Sequence, residues 1–209
     1  MKEKPILFSA PMVRAILEGR KTQTRRVVKL TEIHASEIQF WASNGGGEFI
    51  GWNRNDSSFW VNAPYEVGMR LWVRETFMCG EEEGHGMGVR RLFYMADNPG
   101  QDPHGGFCWC GPDMAWGVHP SIHMPRWASR ITLEVTGVRV ERVRDISSGD
   151  AIAEGCRGLP TSSGGIDWVN DYAHLWDSIN EKRGYGWDVN PWVWIIGFRL
   201  IDTTERGNG

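Results

Sequence analysis

Ile131-Thr132-Leu133-Glu134-Val135-Thr136-Gly137-Val138-Arg139-Val140 alternates apolar and polar residues and changes parity at its glycine. Ile131, Leu133 and Val135 share one face. Beyond Gly137, Val138 and Val140 become the apolar set. This predicts one long strand bent or bulged at Gly137, where no Cβ resists the distortion. A strand that turns a corner is how a small sheet closes into a barrel.

Downstream, Ser147-Ser148-Gly149-Asp150 has the spacing of a capping box, with Ser147 as cap and a short helix from Asp150 to Glu154 ending at Gly155. Trp168, Tyr172, Leu175, Trp176 and Ile179 have helical spacing. Trp192 to Leu200 is apolar on both faces, which predicts a central strand. Residues 203–209 read as a flexible tail.

Upstream, Ile6-Leu7-Phe8 reads as a strand. Pro11 to Glu18 reads as a helix, capped by Ser9 or Ala10 and stopped by Gly19. Thr24 to Val28 is extended, and Met69 to Arg74 alternates with Arg70, Trp72 and Arg74 on its polar face. Between these, Asn44-Gly45-Gly46-Gly47 signals a turn, and Phe40-Trp41 with Phe49 to Trp52 suggests a hairpin. Cys79 to His119 has weak periodicity and reads as an irregular insertion. Short strands, a few helices and no regular βαβ alternation predict an α+β fold built on a small barrel.

The chain has 209 residues, 41% hydrophobic and 23% charged, which suits one domain. Twelve tryptophans are an unusual load, expected mostly in core or pocket wall. No run reaches the length of a membrane span, and the start lacks an apolar leader, so a cytoplasmic location with reduced cysteines is expected. Residues 1–30 carry a net +6, leaving −9 on the remainder of a chain of net −3. That asymmetry predicts either a focused anion site or a solvated basic turn, rather than a broad nucleic-acid surface.

The basic residues concentrate in Gly19-Arg20-Lys21-Thr22-Gln23-Thr24-Arg25-Arg26, at a helix-to-strand junction. Here the sequence resembles the ASCH domain family, relatives of the PUA domain. The blocks that carry the likeness are Gly19-Arg20-Lys21-Thr22-x-Thr24-x-Arg26, Gly68-x-x-Leu71-x-Val73, the Ile131–Val140 strand with its helix, and the closing Trp192–Leu200 strand. Pro120 to Arg130 and Gly184-Tyr185-Gly186-Trp187 look like the longer members found in phages and prophages. Met69 departs from the pattern, where an acidic residue often follows the glycine.

The resemblance implies a small PUA-like β-barrel with flanking helices over residues 1–202, with long insertions at about 30–65 and 76–120. It implies RNA, single-stranded nucleic acid or a modified nucleoside as partner. Some relatives hydrolyse N4-acetylcytidine, and their active-site Lys, Thr and Glu correspond to Lys21, Thr24 and Glu154. Such chemistry is reasonable: a Thr hydroxyl needs a neighbour to take its proton, and a desolvated Lys among cations can do so. The bland reading is a Lys21–Glu154 salt bridge with Thr24 capping a turn.

Arg20, Thr22, Arg25 and Arg26 complete the expected ligand-binding set at this turn. Trp72 between Arg70 and Arg74 suits base stacking beside phosphate contacts, or else packs under an insertion. Trp127 between Arg126 and Arg130 reads as pocket rim or as strand edge. Cys108-x-Cys110, with Cys79, His104, His119 and His123, lacks the spacing of a zinc site, so neither metal nor cofactor is expected. Asn44 to Gly47 lacks the Lys and hydroxyl of a phosphate loop. Three functions follow: nucleic-acid or nucleoside binding, amidohydrolysis or RNA cleavage at the same site, or docking of a host protein through the insertions.

Overall fold

The computed structural model describes residues 3–29, 39–41, 48–52, 58–81, 90–97 and 117–203. Its strands are β1 (Glu3–Leu7), β2 (Gln23–Val27), β3 (Gln39–Trp41), β4 (Glu48–Trp52), β5 (Ser58–Asn62), β6 (Arg70–Arg74) and β7 (Phe77–Glu81). They continue as β8 (Arg90–Tyr94), β9 (Gly117–His119), β10 (Ile131–Arg142), β11 (Leu159–Pro160), β12 (Ile166–Asp167) and β13 (Trp192–Thr203). The α-helices are α1 (Ala10–Leu17), α2 (Ser148–Ala153) and α3 (Trp168–Asn180). The fold is therefore mixed α+β, as expected.

The residues group into two compact units, each discontinuous in sequence. One comprises Met1–Glu18, Arg70–Leu133 and Leu200–Gly209. In it β1 runs parallel to β6, pairing Glu3 with Arg70 through Leu7 with Arg74. Helix α1 starts with Pro11 in its first turn, where a missing N–H costs nothing, and Gly19 follows it at φ +72°. Phe77, Met124 and Ala128 form a small core against Leu92 and Tyr94. Arg130 ties this unit together: it bonds Glu75 at 3.0 and 3.2 Å and Asp97 at 2.7 and 2.8 Å, and stacks 3.9 Å from the Tyr94 ring.

The other unit comprises Gly19–Met69 and Glu134–Arg199. Here β2 runs antiparallel to β13, with Arg25 opposite Ile195 and Thr24 opposite Ile196. Ser147 caps α2, its hydroxyl accepting from the Asp150 N–H at 3.1 Å, as the capping-box spacing predicts. Tyr172 and Trp176 on α3 pack with Val143, Ile146, Ala151, Cys156, Val193 and Ile195. Val143, Ile146, Val193 and Ile195 each contribute roughly 1.5–3 kcal/mol on burial. Strand β13 buries Val193, Trp194, Ile195, Ile196 and Phe198, which line both its faces.

Strand β10 runs unbroken through Gly137, and its burial changes parity there: Ile131, Leu133 and Val135 are buried, then Val138 and Val140 are half-buried. The expected closed barrel is not what the described strands form. No sheet among the described strands closes on itself. Pro5 gives a physical reason. It lies in mid-strand of β1 with no N–H to donate, and four of the five β1 residues are exposed, as suits an edge strand.

The stretch read as an irregular insertion contains β7, β8 and β9, paired in the order β8-β7-β9. Short strands and intervening glycines hid their period. The expected hairpin is present as β3 and β4, extended by β5. Asn44 to Gly47, His104, Cys108, Cys110 and the 204–209 end of the tail lie outside the described residues, as does much of both insertions. Among the described residues, no helix is long and apolar enough to cross a membrane.

Candidate functional site

Helix α2 ends with carbonyls that no further turn can satisfy. Three consecutive residues of the basic turn bond to them. Thr22 N–H donates to the Ala153 carbonyl at 2.8 Å. Lys21 Nζ donates to the Glu154 carbonyl at 2.8 Å, and Arg20 Nη1 to that of Gly155 at 2.9 Å. Cations here also complement the negative end of the helix. The Thr22 carbonyl in turn accepts from Phe198 N–H at 2.8 Å, which fastens the turn to β13.

This strapping brings Lys21 onto the Glu154 side chain, Nζ to Oε2 at 2.8 Å, across 133 residues of sequence. Both side chains are buried, at 0% and 3% exposure. Burial lowers the Lys21 ammonium below its usual range despite the opposing pull of Glu154, and nearby Arg26 lowers it further. Arg25 reaches the other Glu154 oxygen, Nη1 to Oε1 at 3.1 Å, and Asp150 through Nη2 at 3.2 Å. Gln23 Nε2 donates to both the side chain and the carbonyl of Asp150 at 3.1 Å. Arg139 Nη2 adds a third donor to Asp150 at 3.0 Å.

Strand alternation sets Gln23 and Arg25 on one face of β2, toward α2, and Thr24 and Arg26 on the other. Thr24 is buried, and among the described residues no hydrogen bond joins its hydroxyl to Lys21 or Glu154. Arg26 is half-buried, and desolvation lowers its guanidinium while Tyr65, Glu154 and Tyr172 pull the other way and Arg183 adds to the lowering. Burial raises the Tyr65 hydroxyl, partly offset by Arg26. Thr22 is exposed.

The remaining candidates lie in the other unit. Arg74 and Arg126 sit 5.2 and 6.0 Å from the Trp72 ring. Arg74 donates to the carbonyls of Met124, at 3.0 Å, and Ile122. Arg126 pairs with Glu3 at 2.9 Å. The indole is thus half-buried against guanidiniums with partners of their own. Arg70 is half-buried, and Trp127 stays 45% exposed.

Gln23, Asp150 and Tyr172 were not anticipated as neighbours of the Lys21–Glu154 pair. Asp150 and Glu154 stand four apart, a spacing that signals a shared helix face, but Asp150 also fits the capping pattern, which masks that signal. Cys156 lies beside the site, its thiol pushed up to about 12 by burial, so it is an inert core residue. Among the described residues no group of three or more His, Cys, Asp or Glu is placed to hold a metal ion.

The class of protein so defined is a mixed α+β fold with a buried, ion-paired basic site at a helix-to-strand turn. No protein-family model and no curated protein matches the chain. Among solved structures it is similar to an ASCH domain of Lactobacillus crispatus, at 14% identity and a TM-score of 0.41, covering 95% of this chain and 79% of that one. It is also similar to a protein of Enterococcus faecalis described by the family model DUF984, at 9% identity and a TM-score of 0.43, covering 100% and 86%. Likenesses this distant carry no argument about what the chain binds.

Proposed function

We propose that the chain is an ASCH-type domain that binds a nucleobase, as a modified nucleoside or within single-stranded RNA, at the turn holding Lys21, Thr24, Arg25 and Arg26. The observation that carries this reading is the meeting of Lys21 with Glu154, two residues that the family resemblance singles out and that lie 133 positions apart. A desolvated group of cations and carboxylates offers fixed donors and acceptors, the means by which a site reads the edge of a base.

Hydrolysis of N4-acetylcytidine is the second reading. It requires Lys21 to accept a proton from Thr24, for which the two must come within hydrogen-bond reach. Lys21 donates to the carbonyl and the carboxylate of Glu154, and Thr24 belongs to the face of β2 opposite Gln23 and Arg25. Binding is therefore the first reading and turnover the second.

Titration with N4-acetylcytidine and with short single-stranded RNAs tests both. Saturable binding without release of acetate or cleavage of RNA supports the binder. Acetate release that Thr24→Val abolishes supports the hydrolase. Neither binding nor turnover with any of these probes overturns the proposal.

A further inference from the structure

A guanidinium normally meets a carboxylate with two parallel N–H bonds. Arg25 does not do so here. Its Nη1 takes Glu154 Oε1 at 3.1 Å, and its Nη2 is drawn away to Asp150 Oδ2 at 3.2 Å. Glu154 Oε2 is thereby left to Lys21 at 2.8 Å. We propose that Asp150 is a positioning residue of this site: it holds one arm of Arg25 so that Arg25 occupies a single oxygen of Glu154 and the second is reserved for Lys21.

Asp150 is well placed for this. It precedes Glu154 by four residues, so the two carboxylates neighbour each other on α2. Its own position is set by Gln23 and Arg139, which both donate to Oδ1, and by the Ser147 cap on its N–H. The Arg25 Nε has no partner among the described residues, so its remaining edge is not anchored there. Glu141 Oε2 stands 3.8 Å from Nη2, too far for a hydrogen bond. Glu141 supplies charge without direction, whereas Asp150 supplies both.

Neutralising Asp150 frees the fork to close on both oxygens of Glu154. Lys21 then loses its bond to Glu154 Oε2, and a buried ammonium deprived of a carboxylate contact titrates lower. The functional meaning of this device rests on the proposed binding site, but the test uses the free protein. It therefore succeeds or fails separately from the N4-acetylcytidine titration.

The experiment follows the Lys21 side-chain 13Cε resonance against pH in wild type, Asp150→Asn, Glu141→Gln and Asp150→Glu, with exposed Lys29 and Lys182 as internal references. The Lys21 midpoint is expected to fall by about one pH unit in Asp150→Asn, the size of losing one close opposite charge. It is expected to fall much less in Glu141→Gln and to return in Asp150→Glu. Equal falls in Asp150→Asn and Glu141→Gln mean that charge alone acts, and overturn the proposal. No fall in Asp150→Asn, or a midpoint as low in Asp150→Glu, overturns it too. If Asp150→Asn does not fold, Asp150→Ser serves with the same outcomes.

Discussion

Glu154 is shared by two buried cations, Lys21 and Arg25, whose side chains are both 0% exposed. Glu154→Gln removes the shared charge with little change of volume. Arg25 keeps Asp150 and Lys21 keeps one carbonyl, but both lose an ionised acceptor in a desolvated place. Deleting one partner of a buried pair costs about 3–5 kcal/mol. Lys21→Met is a different perturbation. It leaves Glu154 with Arg25 and removes an ammonium that burial already penalises, so the expected cost is only about 1–3 kcal/mol. Urea unfolding followed by tryptophan fluorescence and circular dichroism gives both values, provided the denaturant slopes stay equal. A Lys21→Met loss as large as that of Glu154→Gln would refute the shared-carboxylate reasoning.

Ser147→Ala removes the hydroxyl that accepts from Asp150 N–H and is expected to cost about 1 kcal/mol in the same urea assay. Gly158→Ala combines a positive φ of +77° with a Cβ that would stand 2.1 Å from Ile166 Cγ2, so a loss above about 1 kcal/mol is expected. Burial raises the Glu75 carboxyl above its usual 4.5, against the pull of Arg130. Between 4.5 and that raised midpoint the native chain holds a proton that the unfolded chain has lost. Stability from this group is therefore full below the ordinary midpoint and is lost as pH rises through the raised one. A Tm-against-pH series should show this slope in wild type and lose it in Glu75→Gln.

Much was legible where a local signal had a single physical reading. The period of Trp168 to Ile179 specifies α3, the Ser147–Asp150 spacing specifies the start of α2, and the two-faced apolar run from Trp192 specifies an interior strand. That the described sheets stay open was not legible. Whether a sheet closes depends on pairing between strands distant in sequence, and Pro5 in an exposed β1 favours an edge. Strands β7, β8 and β9 escaped because segments this short carry little periodicity.

At the candidate site the division is similar. The chain alone concentrated cations and hydroxyls at Arg20 to Arg26, because that property is one of neighbours in sequence. Only the tertiary structure decided that Arg20, Lys21 and Thr22 finish helix α2, and that Arg25 divides its two arms between Asp150 and Glu154. Those bonds span more than 120 residues. Their geometry follows from how β2 and α2 pack, which no local pattern of residues encodes.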